Sequence, residues 1–301
     1  MTSLDFGPLV LGGNTFGWTS SPSESHAVLD AFVDAGGRSI DTADVYSVWV
    51  PGNTGGDSER IIGDWLAARG RRDDVSIATK VFSLPDRPGL SPDNVRAAVD
   101  ESLTRLRTDR IDLYYAHRDD HDVPQEEYVG VFDELLTAGK VVEVGASNFD
   151  AGRLRSAVEV ADGAGQARFT VAQDHFNLVE RDYAETLAPT VAELGIVELP
   201  YYALASGFLT GKYRPGTSVD STRAEGAAAY LEDDRNVALL ETLDAIAADH
   251  SVGVTAVALA WLRQQPTVAA PVASARTVEQ LAALVESFDL TLTDEELARL
   301  A

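Results

Sequence analysis

Four side chains that together can move a proton onto a carbonyl oxygen stand at separate points of this sequence: Asp41, Tyr46, Lys80 and His117. A lysine cation beside a tyrosine hydroxyl favours the phenolate, lowering the phenol pKa from about 10 toward neutrality, and a carboxylate beside the lysine holds its charge and position. Such a tyrosine is a general acid. A neighbouring histidine can orient and polarise a carbonyl oxygen, which suits proton donation to that oxygen as hydride reaches its carbon. Other chemistries are poorly furnished. The chain has no cysteine, which excludes disulfides, thiolate nucleophiles and zinc-thiolate sites. The histidines, at 26, 117, 121, 175 and 250, lack metal-ligand spacing such as His-x-His, so no metal site is expected.

These residues can meet only if the fold gathers them. Short apolar runs occur at 9–13, 38–40, 75–79, 111–116, 141–146, 169–172, 195–200 and 268–273, and longer amphipathic stretches lie between them. One such stretch, 92–108, repeats apolar residues at helical spacing in Val95, Val99, Leu103 and Leu106. Strand and helix in unbroken alternation imply a parallel sheet with helical crossovers. Eight strands in 301 residues fit a closed α/β (β/α)8 TIM barrel, one domain over 1–301, better than two doubly wound domains. In that barrel all carboxyl ends share a face. Asp41 then follows the second strand, Lys80 the third, His117 the fourth, Ser147 and Asn148 the fifth, Gln173 the sixth, Tyr201 the seventh and Ser274 the eighth, converging on one mouth.

Composition narrows the class. The net charge is -24, and only Lys80, Lys140 and Lys212 among the 24 basic side chains are lysines, so no nucleic acid partner is expected. The acidic surface reads either as adaptation to high salt or as the composition of a GC-rich genome. No stretch is apolar enough to span a membrane, and the amino terminus lacks a basic segment followed by an apolar run, which predicts a cytoplasmic protein without a membrane partner. The irregular stretch 203–234 is long enough to be functional. Its "GFLTGKY" lacks phosphate-loop spacing, and "GAGQAR" at 163–168 precedes a strand where a dinucleotide fingerprint would follow one.

The ordered motifs "DTADVY" at 41–46, "ATK" at 78–80, "YYAHR" at 114–118, "VGASNF" at 144–149, "VAQDHFN" at 171–177, "LPYYALASGFLTGKY" at 199–213 and "PVASARTVEQL" at 271–281 resemble the aldo-keto reductase family over nearly the whole chain. The resemblance implies a barrel that binds NADPH/NADP+ across its mouth and reduces a small-molecule carbonyl substrate, an aldehyde, ketone or sugar. It assigns Tyr46 as acid, Lys80 and Asp41 as its tuning pair, and His117 as the substrate-orienting group. Ser147, Asn148 and Gln173 would bond the nicotinamide carboxamide, Tyr201 would stack on the ring, and Gly13, Asn14 and Thr15 would lie close to it. Leu204, Ser206, Gly207 and Lys212 after the seventh strand, with Ser274, Arg276 and Gln280 after the eighth, complete the cofactor set. Arg276 would face the 2'-phosphate.

Alternatives stay open beside these roles. Ser147 and Asn148 could instead cap the helix beginning near Asp150, and Asp57 or Ser58 is expected to cap the helix that follows the loop at 47–56. That loop is longer than the family's usual spacing, and its Trp49 either lines the substrate pocket or pins to the barrel rim. Leu284 stands where the family often has an adenine-contacting Asn. A catalytically idle nicotinamide-sensing subunit and a Schiff-base aldolase through Lys80 are the other functional readings. Oligomeric state is not legible.

Overall fold

The alternation in the sequence is carried into the structure, a computed structural model that describes residues 2–217, 219 and 224–301. Strand β1 (Val10–Gly12) leads to α1 (Pro22–Asp34), β2 (Ser39–Asp41) to α2 (Asp57–Arg69), β3 (Ser76–Val81) to α3 (Pro92–Leu106) and β4 (Ile111–Ala116) to α4 (Gln125–Thr137). Then β5 (Val141–Ser147) precedes α5 (Ala151–Ala164), and β6 (Val171–Gln173) precedes the short α6 (Asp182–Thr186) and α7 (Ala188–Leu194). After β7 (Val197–Glu198) come a 3-10 turn at Ala205–Thr210, α8 (Ala224–Ala229), α9 (Asp234–His250) and α10 (Val254–Arg263). Strand β8 (Val272–Ala273), α11 (Val278–Val285) and α12 (Asp294–Arg299) end the chain.

The strands pair in parallel in the order β7-β6-β5-β4-β3-β2-β1-β8. The ring closes where the amide of Val272 donates to Pro200 O at 2.9 Å and Glu198 bridges to Val268. This is the (β/α)8 barrel the sequence predicts. Alternation along each strand sorts the side chains into two layers. Val10, Ala78, Leu113, Tyr115, Val171 and Val272 form one apolar cluster with Phe6 from ahead of β1. Leu11, Ile40, Ile77, Tyr114, Val144 and Ala172 belong to the larger core beneath the helices. Among the described residues, no single helix is long and apolar enough to cross a membrane.

Local chemistry explains where elements start and stop. Helix α3 begins behind Ser91, whose hydroxyl accepts from the amide of Asn94, takes Pro92 in its first turn and ends at Arg107 in a left-handed conformation. Val95, Val99 and Leu106 are buried and Leu103 is half-buried, as their spacing predicts. Strands β7 and β8 are shorter than expected because Pro200 and Pro271 have no amide hydrogen for the ladder. The expected cap on α2 is also absent. The position before the helix is Gly56 at φ 68°, Asp57 accepts from Arg60, and the Ser58 hydroxyl donates to Gly13 O at 2.8 Å, tying α2 to β1. Helix α5 is capped by Asp150, so Ser147 and Asn148 are not its caps. The stretch 203–234 contains α8 and 3-10 turns; Ser218 and 220–223 of it lie outside the described residues.

Gly63 shows how tightly α2 and α3 cross. A Cβ there would lie 2.1 Å from the carbonyl oxygen of Arg105 and 2.8 Å from the carbonyl carbon of Leu106, and backbone cannot give way as a side chain can. Helix propensity alone favours Ala over Gly by about 1 kcal/mol. We expect Gly63→Ala to lose about 2 kcal/mol or more in denaturant melts, because overpacking outweighs propensity. A stabilised variant would show that the two helices can separate freely.

Candidate active site

Strand parity and register build the site. On β3, Ala78 and Lys80 point into the barrel while Thr79 points outward, where its hydroxyl donates to Glu59 of α2 at 2.6 Å. On β2, Asp41 ends the strand opposite Ala78. Lys80 is fully buried and Asp41 nearly so, and their side chains meet at 2.6 Å. The ammonium also donates to Thr42 O at 2.8 Å and to the Tyr46 hydroxyl at 3.2 Å. Its three hydrogens are thereby engaged. The carboxylate of Asp41 accepts from Gln173 Nε2 with its other oxygen at 3.1 Å.

The five-residue interval between Asp41 and Tyr46 follows from the path of the chain. Beyond β2 the backbone stays beside β3, with the amides of Thr42 and Asp44 donating to Ala78 O and Lys80 O. A turn closed by the Tyr46 amide on Ala43 O then carries the phenol back over the ammonium. Ser47, left-handed at φ 73°, pins the end of that turn through its hydroxyl to Phe16 O at 2.7 Å.

The electrostatics differ in one respect from what the residue types suggest. Burial, with the Asp41 charge second, pushes the Tyr46 hydroxyl well above its ordinary value, so the lysine does not bring it toward neutrality in the resting protein. Burial also lowers Lys80, against the opposing pull of Asp41. His117 stands beside Tyr46, their ring centroids 6.2 Å apart. Burial, then the charges of Lys80 and Arg118, push its imidazole well below 6.5, so the ring is neutral at pH 7.

Around this centre the strand ends form a connected polar rim. Asn148, left-handed at φ 57°, donates to His117 O at 3.1 Å and to the Ser147 hydroxyl at 2.9 Å, and accepts from the Tyr201 hydroxyl at 2.7 Å. Ser147 in turn donates to Gln173 O at 2.7 Å. Tyr201 stacks on His175 with centroids 5.6 Å apart. On the opposite side the Ser274 hydroxyl donates to Asn14 Oδ1 at 2.6 Å, Thr15 donates to Ala275 O, and Gln280 accepts from the amide of Arg276.

A cleft of about 790 Å³ opens over these groups. Sixteen of the eighteen residues singled out from sequence line it, from Asn14, Thr15 and Tyr46 through Leu204, Ser206, Gly207 and Lys212 to Arg276 and Gln280. Lys80 lies beneath Tyr46 and off the wall. A buried ammonium with every hydrogen engaged is badly placed to attack a carbonyl carbon, which removes the support for an aldolase. Gly13 is also off the wall. Its amide donates to Asp41 O, and Gly12 takes its place at the cleft, where a Cβ would lie 2.5 Å from the Ser274 hydroxyl.

The residues fit an extended nucleotide that carries several phosphate charges. Lys212 and the Arg276 guanidinium have no carboxylate partner among the described residues, in a chain where most arginines are paired. Ser206 and Gly207 are both left-handed, at φ 55° and 96°. Trp18, Ser83, Arg118, Tyr202, Thr255 and Glu279 also line the cleft and were missed from sequence. Arg118 and Tyr202 directly follow His117 and Tyr201, so their places at strand ends were a usable signal; Thr255, inside α10, had none. Trp49 lines the cleft and packs edge-on against Trp18 at 5.6 Å and Tyr46 at 6.3 Å, joining the pocket wall.

The profile of the Aldo/keto reductase family matches residues 8–301. Protein tas of Escherichia coli is 32% identical, the match covering 99% of this chain and 94% of that protein. Norsolorinic acid reductase of Emericella nidulans is 31% identical over 99% of this chain and 78% of its own. An aryl-alcohol dehydrogenase [NADP(+)] of Phanerodontia chrysosporium is 30% identical, over 98% and 81% respectively.

The neutral state of His117 has a measurable consequence. Its folded pKa lies below the unfolded value of about 6.5, so the unfolded chain takes up more protons as pH falls and stability falls with it. Relative to His117→Gln, the wild-type protein should lose stability from about pH 6.5 downward with a slope of at most about 1.4 kcal/mol per pH unit. Urea melts of both proteins across pH 7 to 5 read this difference. A constant gap would mean that the ring titrates alike in both states.

Proposed function

The chain belongs to the aldo/keto reductase family, whose members are oxidoreductases using nicotinamide cofactors, and on that premise we propose that it reduces an aldehyde or ketone to the alcohol with NADPH, Tyr46 serving as proton donor. The observation that carries this reading is the Lys80 ammonium held between Asp41 at 2.6 Å and the Tyr46 oxygen at 3.2 Å under the cleft wall.

When bound, NADPH supplies a hydride to the carbonyl carbon. The protein's part is to supply the proton and to hold the carbonyl. Lys80 donates to the Tyr46 oxygen, so the phenol's own hydrogen is left for a substrate oxygen in the cleft. In the resting protein, burial keeps that hydrogen on Tyr46. As it leaves, negative charge develops on an oxygen already hydrogen-bonded to a buried cation, where such a contact is worth more than in water. The lysine therefore acts on the charge that forms during transfer, without lowering the ground-state pKa to neutrality. His117, neutral, can donate one hydrogen bond to the same substrate oxygen and fix its direction. Asp41 keeps the ammonium charged in a buried place.

Lys212 and Arg276 suit phosphate groups, and a guanidinium can grip a phosphate through two hydrogen bonds, which favours NADPH over NADH. Ser147, Asn148 and Gln173 offer amide and hydroxyl groups for a carboxamide, and Tyr201 offers an aromatic face. The aromatic wall of Trp18, Trp49 and Tyr46 favours aromatic carbonyls, in keeping with the name of one relative, an aryl-alcohol dehydrogenase.

The test is a panel of aldehydes and ketones assayed with each cofactor through loss of reduced-nicotinamide absorbance. Aromatic aldehydes should be reduced faster with NADPH than with NADH. Tyr46→Phe should still bind NADPH while turnover falls by about 10²–10⁴, the usual contribution of a general acid. Tight NADPH binding with no turnover on any carbonyl would favour a nucleotide-sensing role instead. Wild-type turnover in Tyr46→Phe would move the proton to another donor.

A further inference from the structure

The arginines of this chain are mostly neutralised where they stand. Arg72, Arg105 and Arg153, for example, hold Asp112, Glu59 and Asp119. Among the described residues, only Arg118, Arg276 and Arg299 have a guanidinium with no carboxylate, hydrogen-bond or ring partner, and two of these three line the cleft. Arg276 lies with Lys212 in the set assigned to the nucleotide. Arg118 lies elsewhere. It directly follows His117 at the carboxyl end of β4, and its charge acts on both the His117 ring and the Tyr201 hydroxyl.

The neighbours that could have neutralised Arg118 are turned to other work. Asp119 receives two hydrogen bonds from Arg153, at 2.5 and 2.9 Å, and one from Tyr128. Asp120 receives the amides of Leu90 and Asp122 at 2.7 and 2.9 Å. The carboxylates in the cleft lining are Asp41, already bound to Lys80, and Glu279, in the first turn of α11 beside Arg276. Among the described residues, Arg118 is thus a cation without a carboxylate partner, exposed at the cleft beside His117, in a chain of net charge -24. The same cleft is lined by the aromatic rings of Tyr46, Trp18 and Trp49, which pack on one another.

We propose that Arg118 is a specificity-determining residue that selects an aromatic carbonyl substrate carrying a carboxylate, with its guanidinium binding that carboxylate while the carbonyl faces Tyr46 and His117. This rests on the carbonyl-reductase reading and names its substrate class. A guanidinium presents paired donors that match a carboxylate. A single cation balances a single negative charge, whereas a dianionic phosphate would keep an excess charge in the cleft. Positive potential in a cleft of an acidic protein also concentrates anionic substrates there against the repulsion of the remaining surface.

The experiment compares para-carboxybenzaldehyde with its uncharged methyl ester, methyl para-formylbenzoate, as substrates with NADPH. The wild-type protein should prefer the carboxylate by about tenfold in kcat/KM, on the scale of one charge-assisted interaction, mainly through KM. Arg118→Leu should abolish the preference and Arg118→Lys should keep part of it. An unchanged ratio in Arg118→Leu overturns the proposal. If neither aldehyde is reduced, the carbonyl-reductase reading fails separately. The anion site is then decided by quenching of tryptophan fluorescence with 4-(hydroxymethyl)benzoate against its methyl ester, which needs no turnover. Tighter binding of 4-(hydroxymethyl)benzoate that is lost in Arg118→Leu upholds the site, and binding without that discrimination overturns it.

Discussion

A buried ion pair is the constraint around which the mouth of this barrel is arranged. Lys80 and Asp41 are almost completely withdrawn from water, and desolvating two charges costs several kcal/mol per ion unless geometry and further hydrogen bonds compensate. Here they do: Thr42 O, Tyr46 and Gln173 complete the shell. Such a pair is weak support for stability, since well-packed apolar residues would often do as well, but removing one partner strands the other at about 3–5 kcal/mol. What the pair provides is position. The parity of β2 and β3 sets both groups facing inward at adjacent levels, and the turn from Asp41 to Tyr46 exists to return a phenol over the cation.

The charge distribution follows a related logic on a larger scale. Surface carboxylates and arginines neutralise one another in exposed pairs, such as Arg38 with Asp5 and Arg96 with Glu134, each contributing little to stability. The cleft inverts the sign of the molecule. Among the described residues, Lys212, Arg276 and Arg118 have no carboxylate partner there, while Asp41 is bound to Lys80.

How much of this was legible depended on which physical effect decided each feature. The eight strands and the convergence of Asp41, Lys80, His117, Ser147, Gln173 and Tyr201 could be read from apolar runs and the polar residue after each, because a parallel barrel leaves no other face for them. Details set by tertiary contact could not. Asp57 or Ser58 was expected to cap α2, and the Ser58 hydroxyl instead bonds Gly13 O just beyond β1, a partner that only tertiary packing brings within reach. Gly12 lines the cleft where Gly13 was expected, because the difference turns on which glycine faces Ser274. The direction of the Tyr46 shift was missed for the same reason: a lysine neighbour is visible in sequence, and depth of burial is not.

The central claim is that Tyr46 and Lys80 act on one proton transfer, and a double-mutant cycle tests it most directly. Turnover of one carbonyl substrate would be measured for Tyr46→Phe, Lys80→Met and the combined variant, each first shown to be folded and to bind NADPH. The account predicts that the combined variant is about as slow as the slower single variant, because once the phenol proton is gone the ammonium has no developing charge to stabilise. Losses that multiply would show that the two residues contribute independently, and would contradict the account.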